Sequence, residues 1–220
     1  METLNASEVK SLAIFGSSGA TGRVLVSHAL KKGFNVRTLV RKKSSVVFEP
    51  GGVAVVEGAL SSQENVLATL HGCDAVICVF GPRPPYADIF CEHATSIIVA
   101  AMQQSGMQRL LCQTGGMIGE YRENRTLPFQ LMADMFKRHS PQVASDRVGQ
   151  ERVVMHSGLA WTIVKPPRLT DGAAKGKWQA GKEVRLGMLS SISRDDLADF
   201  LLSETMSPQY VGQAVFVRGN

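Results

Sequence analysis

Short, mostly apolar runs recur along the chain, and between them the apolar positions spread to a helical spacing. The first run, Ser11–Phe15, meets a glycine-rich turn and then a segment, 23–32, in which Val24, Leu25, Ala29 and Leu30 recur as on a helix face. Gly33 closes that helix, and the valine- and leucine-rich run 35–40 suits a buried strand. Further strands are expected at 53–57, 75–80, 109–113, 160–165 and 214–217, with helices near 63–70, 88–105, 146–156 and 194–202. Strands that alternate with helices imply a parallel sheet, so the expected fold is α/β, Rossmann-like and doubly wound. The rhythm loosens over 115–128. No linker, repeat or low-complexity stretch interrupts it, and residues 1–220 read as one domain. Two glycine- and proline-rich loops, 81–86 and 168–181, should follow strand C-termini, the edge at which an open α/β sheet binds ligands.

Composition narrows the picture. With 44% hydrophobic and 20% charged residues the chain belongs with folded proteins. Its charge of +5 is scattered except at Arg41-Lys42-Lys43, and aromatic content is 6%. A nucleic-acid surface is therefore not expected, and a small phosphorylated ligand accounts for the cluster more economically. Cys73, Cys78, Cys91 and Cys112 form no Cys-x-x-Cys pair and have no metal-ligand spacing with histidine, so no structural metal is expected. Cys78 and Cys112 lie inside strand-like runs; buried reduced thiols favour a reducing compartment, taken to be the cytoplasm. The N-terminal residues lack a signal pattern and no apolar window reaches a spanning length, so a soluble, unprocessed chain without a membrane partner is expected. A monomer is preferred, because no predicted helix carries an obvious surplus apolar face.

The chemistry begins at the first turn. Gly16, Gly19 and Gly22 between a strand and a helix let the backbone turn sharply and approach a pyrophosphate, whose charge meets the helix N-terminus. A plain strand-to-helix turn is the bland alternative, and the βαβ context argues against it. Roughly 20 residues farther on, an NAD-binding protein usually presents a carboxylate to the adenosine ribose. Here Arg41, Lys42, Lys43 and Ser44 occupy that place, which suits a ribose 2′-phosphate and hence NADP(H). The alternative is a solvated charge run.

The opening AIFGSSGATGRVLVSHALKKGFNVRTLVRKKSS, the later DAVICVFG and the pair Pro166-Pro167 after TIVK resemble the atypical short-chain dehydrogenase/reductases of the NmrA-like group. Within it the biliverdin-IXβ/flavin reductases are nearest in pattern. The resemblance implies Ser18, Gly19, Ala20 and Thr21 on the pyrophosphate, and Arg41 and Ser44 on the 2′-phosphate. It implies Phe80, Gly81, Pro82 and Arg83 near the nicotinamide-side ribose, Gln113 and Thr114 beside the nicotinamide, and Pro166, Pro167 and Arg168 closing over it. Where many relatives place an aspartate against the adenine, this chain reads Gly58-Ala59-Leu60, so contacts there would be apolar or through backbone. Where the reductases have a serine after the threonine of the fifth strand, Gly115 and Gly116 follow Thr114. A Tyr-x-x-x-Lys pair is absent too, because Arg125 stands four residues after Tyr121, and Arg168 replaces the histidine that can follow the prolines. Arg168 could hold an anion or carbonyl oxygen, and Thr114 is the remaining hydroxyl at this edge.

Other polar residues read as structure. His93 and His156 sit in predicted helices without a carboxylate at helical spacing. Asp146 and Glu151 lie where a carboxylate can face the pocket, though a solvated face is the commoner outcome. Ser193 with Asp195 and Asp196 looks like a helix cap. The expected function is an NADPH-dependent oxidoreductase reducing a planar conjugated small molecule (a flavin, quinone, enone or ketone), with positioning from the protein and a proton from solvent. An NADP(H)-binding redox sensor and a non-redox isomerase or cyclase on the same fold are the alternatives.

Overall fold

The alternation of apolar side chains along each strand becomes two cores in the computed structural model, which describes residues 9–42, 48, 52–82, 86 and 89–220. Strand β1 (Ser11–Phe15) sends Leu12 and Ile14 to one face and Ala13 and Phe15 to the other. The first face packs on α1 (Ala20–Lys31) and α6 (Arg194–Met206), through Leu25, Val26, Leu197 and Leu201. The second packs on α2 (Gln63–Leu70), α3 (Cys91–Gln104) and α5 (Pro141–Met155), through Val66, Ile98, Met102 and Val154.

The remaining strands are β2 (Asn35–Val40), β3 (Val53–Glu57), β4 (Ala75–Cys78), β5 (Arg109–Gln113), β6 (Ala160–Lys165), β7 (Arg168–Thr170), β8 (Trp178–Gly181), β9 (Ser191–Ser193) and β10 (Gln213–Gly219). Eight of them form one sheet in the order β3-β2-β1-β4-β5-β6-β10-β8. All neighbours pair in parallel except β8, which runs antiparallel to β10. The order reverses between β1 and β4, the crevice at which a doubly wound sheet takes a dinucleotide. A separate parallel pair, β7-β9, lies outside the sheet. The Rossmann-like expectation is met.

Several boundaries differ from the sequence reading. Helix α1 begins at Ala20, inside the glycine turn, because glycine at the end of the loop allows the helix to start against the strand. Helix α4 (Leu127–His139) was not anticipated, because Pro128 looks like a stop signal, yet proline is tolerated in a first turn, where its missing N–H would have no partner. Pro141 starts α5 in the same way, ahead of the expected position 146. Helix α4 also exposes Leu127, Leu131 and Met135, with Met188 and Leu189 exposed in the loop before β9. That surplus apolar face removes the premise from which a monomer was preferred. Among the described residues no helix is long and apolar enough to cross a membrane.

At the N-terminal edge of the sheet, Arg109 is buried and pairs with Glu204 of α6 at 2.8 Å. Its other bonds reach the Ala160 and Glu204 carbonyls and the Thr162 hydroxyl. Asp146 of α5 caps α3, accepting from the Cys91 and Glu92 amides at 2.9 Å each. It is buried rather than solvated.

Candidate functional site

The turn after β1 is tight enough to admit only glycine at two places. Gly16 has φ +94, and a Cβ there would lie 2.7 Å from the Phe80 amide nitrogen. A Cβ on Gly22 would lie 2.1 Å from the Gly16 carbonyl oxygen. The Gly19 amide donates to that same carbonyl at 3.0 Å, and the Thr38 hydroxyl of β2, which donates to the Ile14 carbonyl at 2.8 Å, accepts from buried Ser17 at 2.5 Å, which pins the loop from the side. Helix α1 starts at this loop with no side-chain cap and no acidic residue in its first turn. Its free N–H groups and positive dipole end therefore face the crevice without a protein anion to satisfy them. Ser18 and Ala20 are exposed on the rim, while Thr21 and Gly22 are buried behind it. This geometry fits a pyrophosphate.

On the β2 side, Arg41 and Lys42 follow the strand end and are exposed. The Gly58 amide donates to the Val40 carbonyl at 2.9 Å, which sets exposed Ala59 and half-buried Leu60 beside them. Ser44 lies outside the described residues, as does Arg83 on the other side. Arg41 and Lys42 thus follow the end of β2, with Glu57, the last residue of β3, registered against Val40 beside them.

On the β4–β5 side the site is organised by Arg147 of α5. Its guanidinium donates to the Phe80 and Gln113 carbonyls at 3.1 Å each and to Gln150 at 2.6 Å, tying the ends of β4 and β5 together. A Cβ on Gly81 would stand 3.6 Å from it, so Gly81 and Pro82 run directly past this cation. The Phe80 ring packs on Phe90 at 5.8 Å. The Gln113 side-chain oxygen is buried with no hydrogen-bond partner among the described residues. Such an acceptor suits a ligand donor, as a nicotinamide carboxamide or ribose hydroxyl provides.

Beyond Gln113 lies a cluster of buried polar groups. Thr114, whose amide donates to Val164 at 2.9 Å, gives its hydroxyl to Glu151 at 2.5 Å. Lys165, the last residue of β6, is bonded to the same carboxylate oxygen and lies 3.4 Å from the threonine oxygen. Its ammonium sits 4.4 Å over the Tyr121 ring. Burial brings the lysine down from its ordinary value to about 8; Glu151 opposes that change and Arg125 and Arg147 add to it. The Tyr121 hydroxyl donates to the other Glu151 oxygen at 3.4 Å, and burial beside that carboxylate raises it well above the usual phenol. Arg125 donates to the Gly116, Ile118 and Gly119 carbonyls and so shapes the loop after β5. The Gly116 amide in turn donates to Pro166 at 2.7 Å. Arg168 begins β7, is exposed and pairs with Ser191 of β9.

The fold thus brings the Gly16–Gly22 turn, Phe80–Pro82, Gln113–Thr114 and Pro166–Arg168 to one edge. It also corrects the expectation for Glu151, which is 2% exposed and faces Lys165 across the end of the sheet. Arg147 and Lys165 were missed altogether. A signal existed for Lys165: it is the one charge in the run AWTIVK, placed where the strand should still be buried.

Residues 16–208 match the model of a family described as NAD(P)H-binding. An uncharacterised chloroplastic protein of Arabidopsis thaliana is 28% identical over 90% of this chain and 72% of its own length. In structure, the chain is similar to ChuY of Escherichia coli O157:H7, described as an anaerobillin reductase, with a TM-score of 0.78 at 19% identity over 94% and 96% of the two chains. It is also similar to a short-chain dehydrogenase/reductase of Veillonella parvula in complex with NADP, with a TM-score of 0.76 at 14% identity over 96% and 95%.

Proposed function

The chain belongs to the NAD(P)H-binding family, and on that premise we propose that it is an NADPH-dependent oxidoreductase that reduces a planar conjugated small molecule, such as a flavin, quinone or conjugated ketone. The observation that carries this reading is the continuous ledge from Gly16 through Phe80 and Arg147 to Gln113 and Thr114. It crosses the ends of β1, β4 and β5 beside the point where the strand order reverses, the place at which a doubly wound sheet takes a dinucleotide. When bound, NADPH supplies a hydride. The glycine turn and the α1 N-terminus hold the pyrophosphate, and Arg41 with Lys42 takes the 2′-phosphate in preference to a neutral diol. Gln113 accepts from the nicotinamide half, and Arg147 fixes the two strand ends that frame it. ChuY, with the same fold, is described as a reductase. Four free cysteines suit a reducing compartment, and we place the protein in the cytoplasm.

The test is the loss of NADPH absorbance on mixing purified protein with FMN, riboflavin, menadione and benzylideneacetone, with NADH as the paired control. Saturable oxidation with NADPH preferred is expected. Tight NADPH binding without oxidation of any acceptor would overturn the reductase reading in favour of a sensor.

A further inference from the structure

A reductase without the Tyr-x-x-x-Lys pair and without a serine after Thr114 needs another source for the proton that follows the hydride. We propose that Lys165 is that source, handing its proton through the Thr114 hydroxyl to the reduced acceptor, with Glu151 as the positioning residue that keeps the lysine charged and aimed. This rests on the reductase reading and extends it to the second half of the reaction.

Four observations carry it. Thr114 stands at the C-terminal end of β5, one residue beyond the unpartnered Gln113 oxygen and on the ledge where the acceptor must lie. Its oxygen is within 3.4 Å of the Lys165 nitrogen. Both groups share one Glu151 oxygen, so neither is held by a partner that excludes the other. The ammonium is buried, with the rings of Tyr121 and Phe216 at 4.4 and 5.8 Å from it. The charged groups acting on Lys165 are Glu151 and Arg147 from α5 and Arg125 from the loop after β5, two cations against one carboxylate. Together with burial they leave an ammonium that titrates near 8, in the range in which a general acid is effective.

The step balances as follows. The acceptor gains two electrons and one hydrogen from the nicotinamide and is left with one extra negative charge. That anion takes the hydroxyl hydrogen of Thr114, which rotates away from Glu151; the threonine oxygen takes a proton from Lys165; the lysine remains as a neutral amine beside the carboxylate. Solvent returns the proton between turnovers. Glu151 accepts from both groups and compensates the buried charge of Lys165 in the resting state.

Steady-state turnover of benzylideneacetone from pH 6 to 10, together with its solvent isotope effect, tests the relay in wild type, Lys165→Arg, Thr114→Val and Thr114→Ser. Lys165→Arg keeps the charge and the pairing with Glu151 but cannot release a proton in this range. The wild-type kcat is expected to fall as pH rises through about 8, the value at which burial leaves Lys165. Lys165→Arg and Thr114→Val should each lower kcat ~100-fold, remove that limb and change the solvent isotope effect, with NADPH affinity retained in Lys165→Arg; Thr114→Ser should restore the limb. Turnover by Lys165→Arg with the wild-type pH limb would overturn the relay and leave the reductase reading standing. Failure of the wild-type protein to oxidise NADPH with any acceptor in the panel would overturn both.

Discussion

Replacing Gly22 by alanine probes the cofactor cradle most directly, because the structure sets the size of the conflict. The new Cβ would lie 2.1 Å from the Gly16 oxygen and 2.6 Å from the Ser17 Cα, and ordinary contact begins at 3.4 Å. The loop must therefore retreat by about 1.3 Å, the difference between 3.4 and 2.1 Å. Neither neighbour is the end of a flexible side chain. Gly16 is wedged against Phe80, and Ser17 is held by Thr38, so the retreat strains the Gly19–Gly16 hydrogen bond and the Thr38–Ser17 pair together. Overpacking of this kind costs about 1–3 kcal/mol. A displacement of about 1 Å in a preorganised site costs on the order of 100-fold, so NADPH binding should weaken by about that factor.

Gly33→Ala is the matching control. Gly33 has φ +83 and nothing within 4 Å of a built Cβ, at the opposite end of α1. Its cost is backbone strain alone, about 1–2 kcal/mol, with no change to the cradle. Thermal unfolding and calorimetric titration with NADPH separate the two effects. Both variants should lose stability, and only Gly22→Ala should lose affinity. A Gly22→Ala protein that binds NADPH as tightly as wild type would refute the assignment of this loop to the pyrophosphate.

Three further outcomes are expected. Arg41→Ala should weaken NADPH binding by ~2 kcal/mol and leave NADH nearly unchanged, since one charge-assisted contact to the extra phosphate is lost; equal losses would remove the basis for NADP preference. Glu204→Gln should cost about 3–5 kcal/mol in urea unfolding, because it leaves Arg109 buried without its counter-charge, and a loss below about 1 kcal/mol would mean that the backbone carbonyls alone hold the guanidinium. Stability should fall steeply above pH 9: burial pushes the Cys91 thiol up to about 11 and Cys112 to about 12, so the stability they contribute is fully present below 9 and is lost as pH rises toward those values, at about 1.4 kcal/mol per unit for each thiol. Lys165 works in the opposite sense from about 8 to 10.5, where the folded state binds the fewer protons, but it is one group against at least two, and a urea midpoint that rises between pH 9 and 11 would contradict the burial of these thiols.

The sheet and its cofactor edge were legible because both rest on local pattern. Apolar runs at strand length mark the β1, β4, β5 and β6 positions, and the glycine spacing marks a backbone geometry that only glycine allows at Gly16 and Gly22. What escaped rests on tertiary contact. Helix α4 carries apolar residues at helical spacing, with Phe129 and Ala133 buried and Leu127, Leu131 and Met135 exposed, but Pro128 reads as a break. Glu151 reads, with Asp146, as part of a solvated face, but the end of β6 takes it up, while Arg147 one helical turn earlier is taken up by the end of β5. The Tyr-x-x-x-Lys test failed correctly as a sequence pattern, and it still missed a lysine brought to Tyr121 by β6 rather than by the helix.

The two buried ion pairs show how the edges of the sheet differ. Arg109–Glu204 and Lys165–Glu151 both carry the cost of removing charges from water, and neither is a good investment in stability compared with apolar packing. At the N-terminal edge most of the remaining valences close on structure: Arg109 holds the Ala160 and Glu204 carbonyls and the Thr162 hydroxyl, and Glu204 accepts from the Gln209 and Tyr210 amides at 2.9 and 3.0 Å, while the buried Arg109 Nε has no partner among the described residues. At the C-terminal edge they close on groups that can exchange or turn, a threonine hydroxyl and a tyrosine, with one buried glutamine oxygen beside them that has no partner among the described residues. Strand carbonyl ends and helix N-termini converge only at the second edge, where a ligand can complete what the protein leaves open. Each edge leaves one buried polar atom open among the described residues, the Arg109 Nε at the first and the Gln113 oxygen at the second, and only the second lies at the edge where such a sheet takes its ligands.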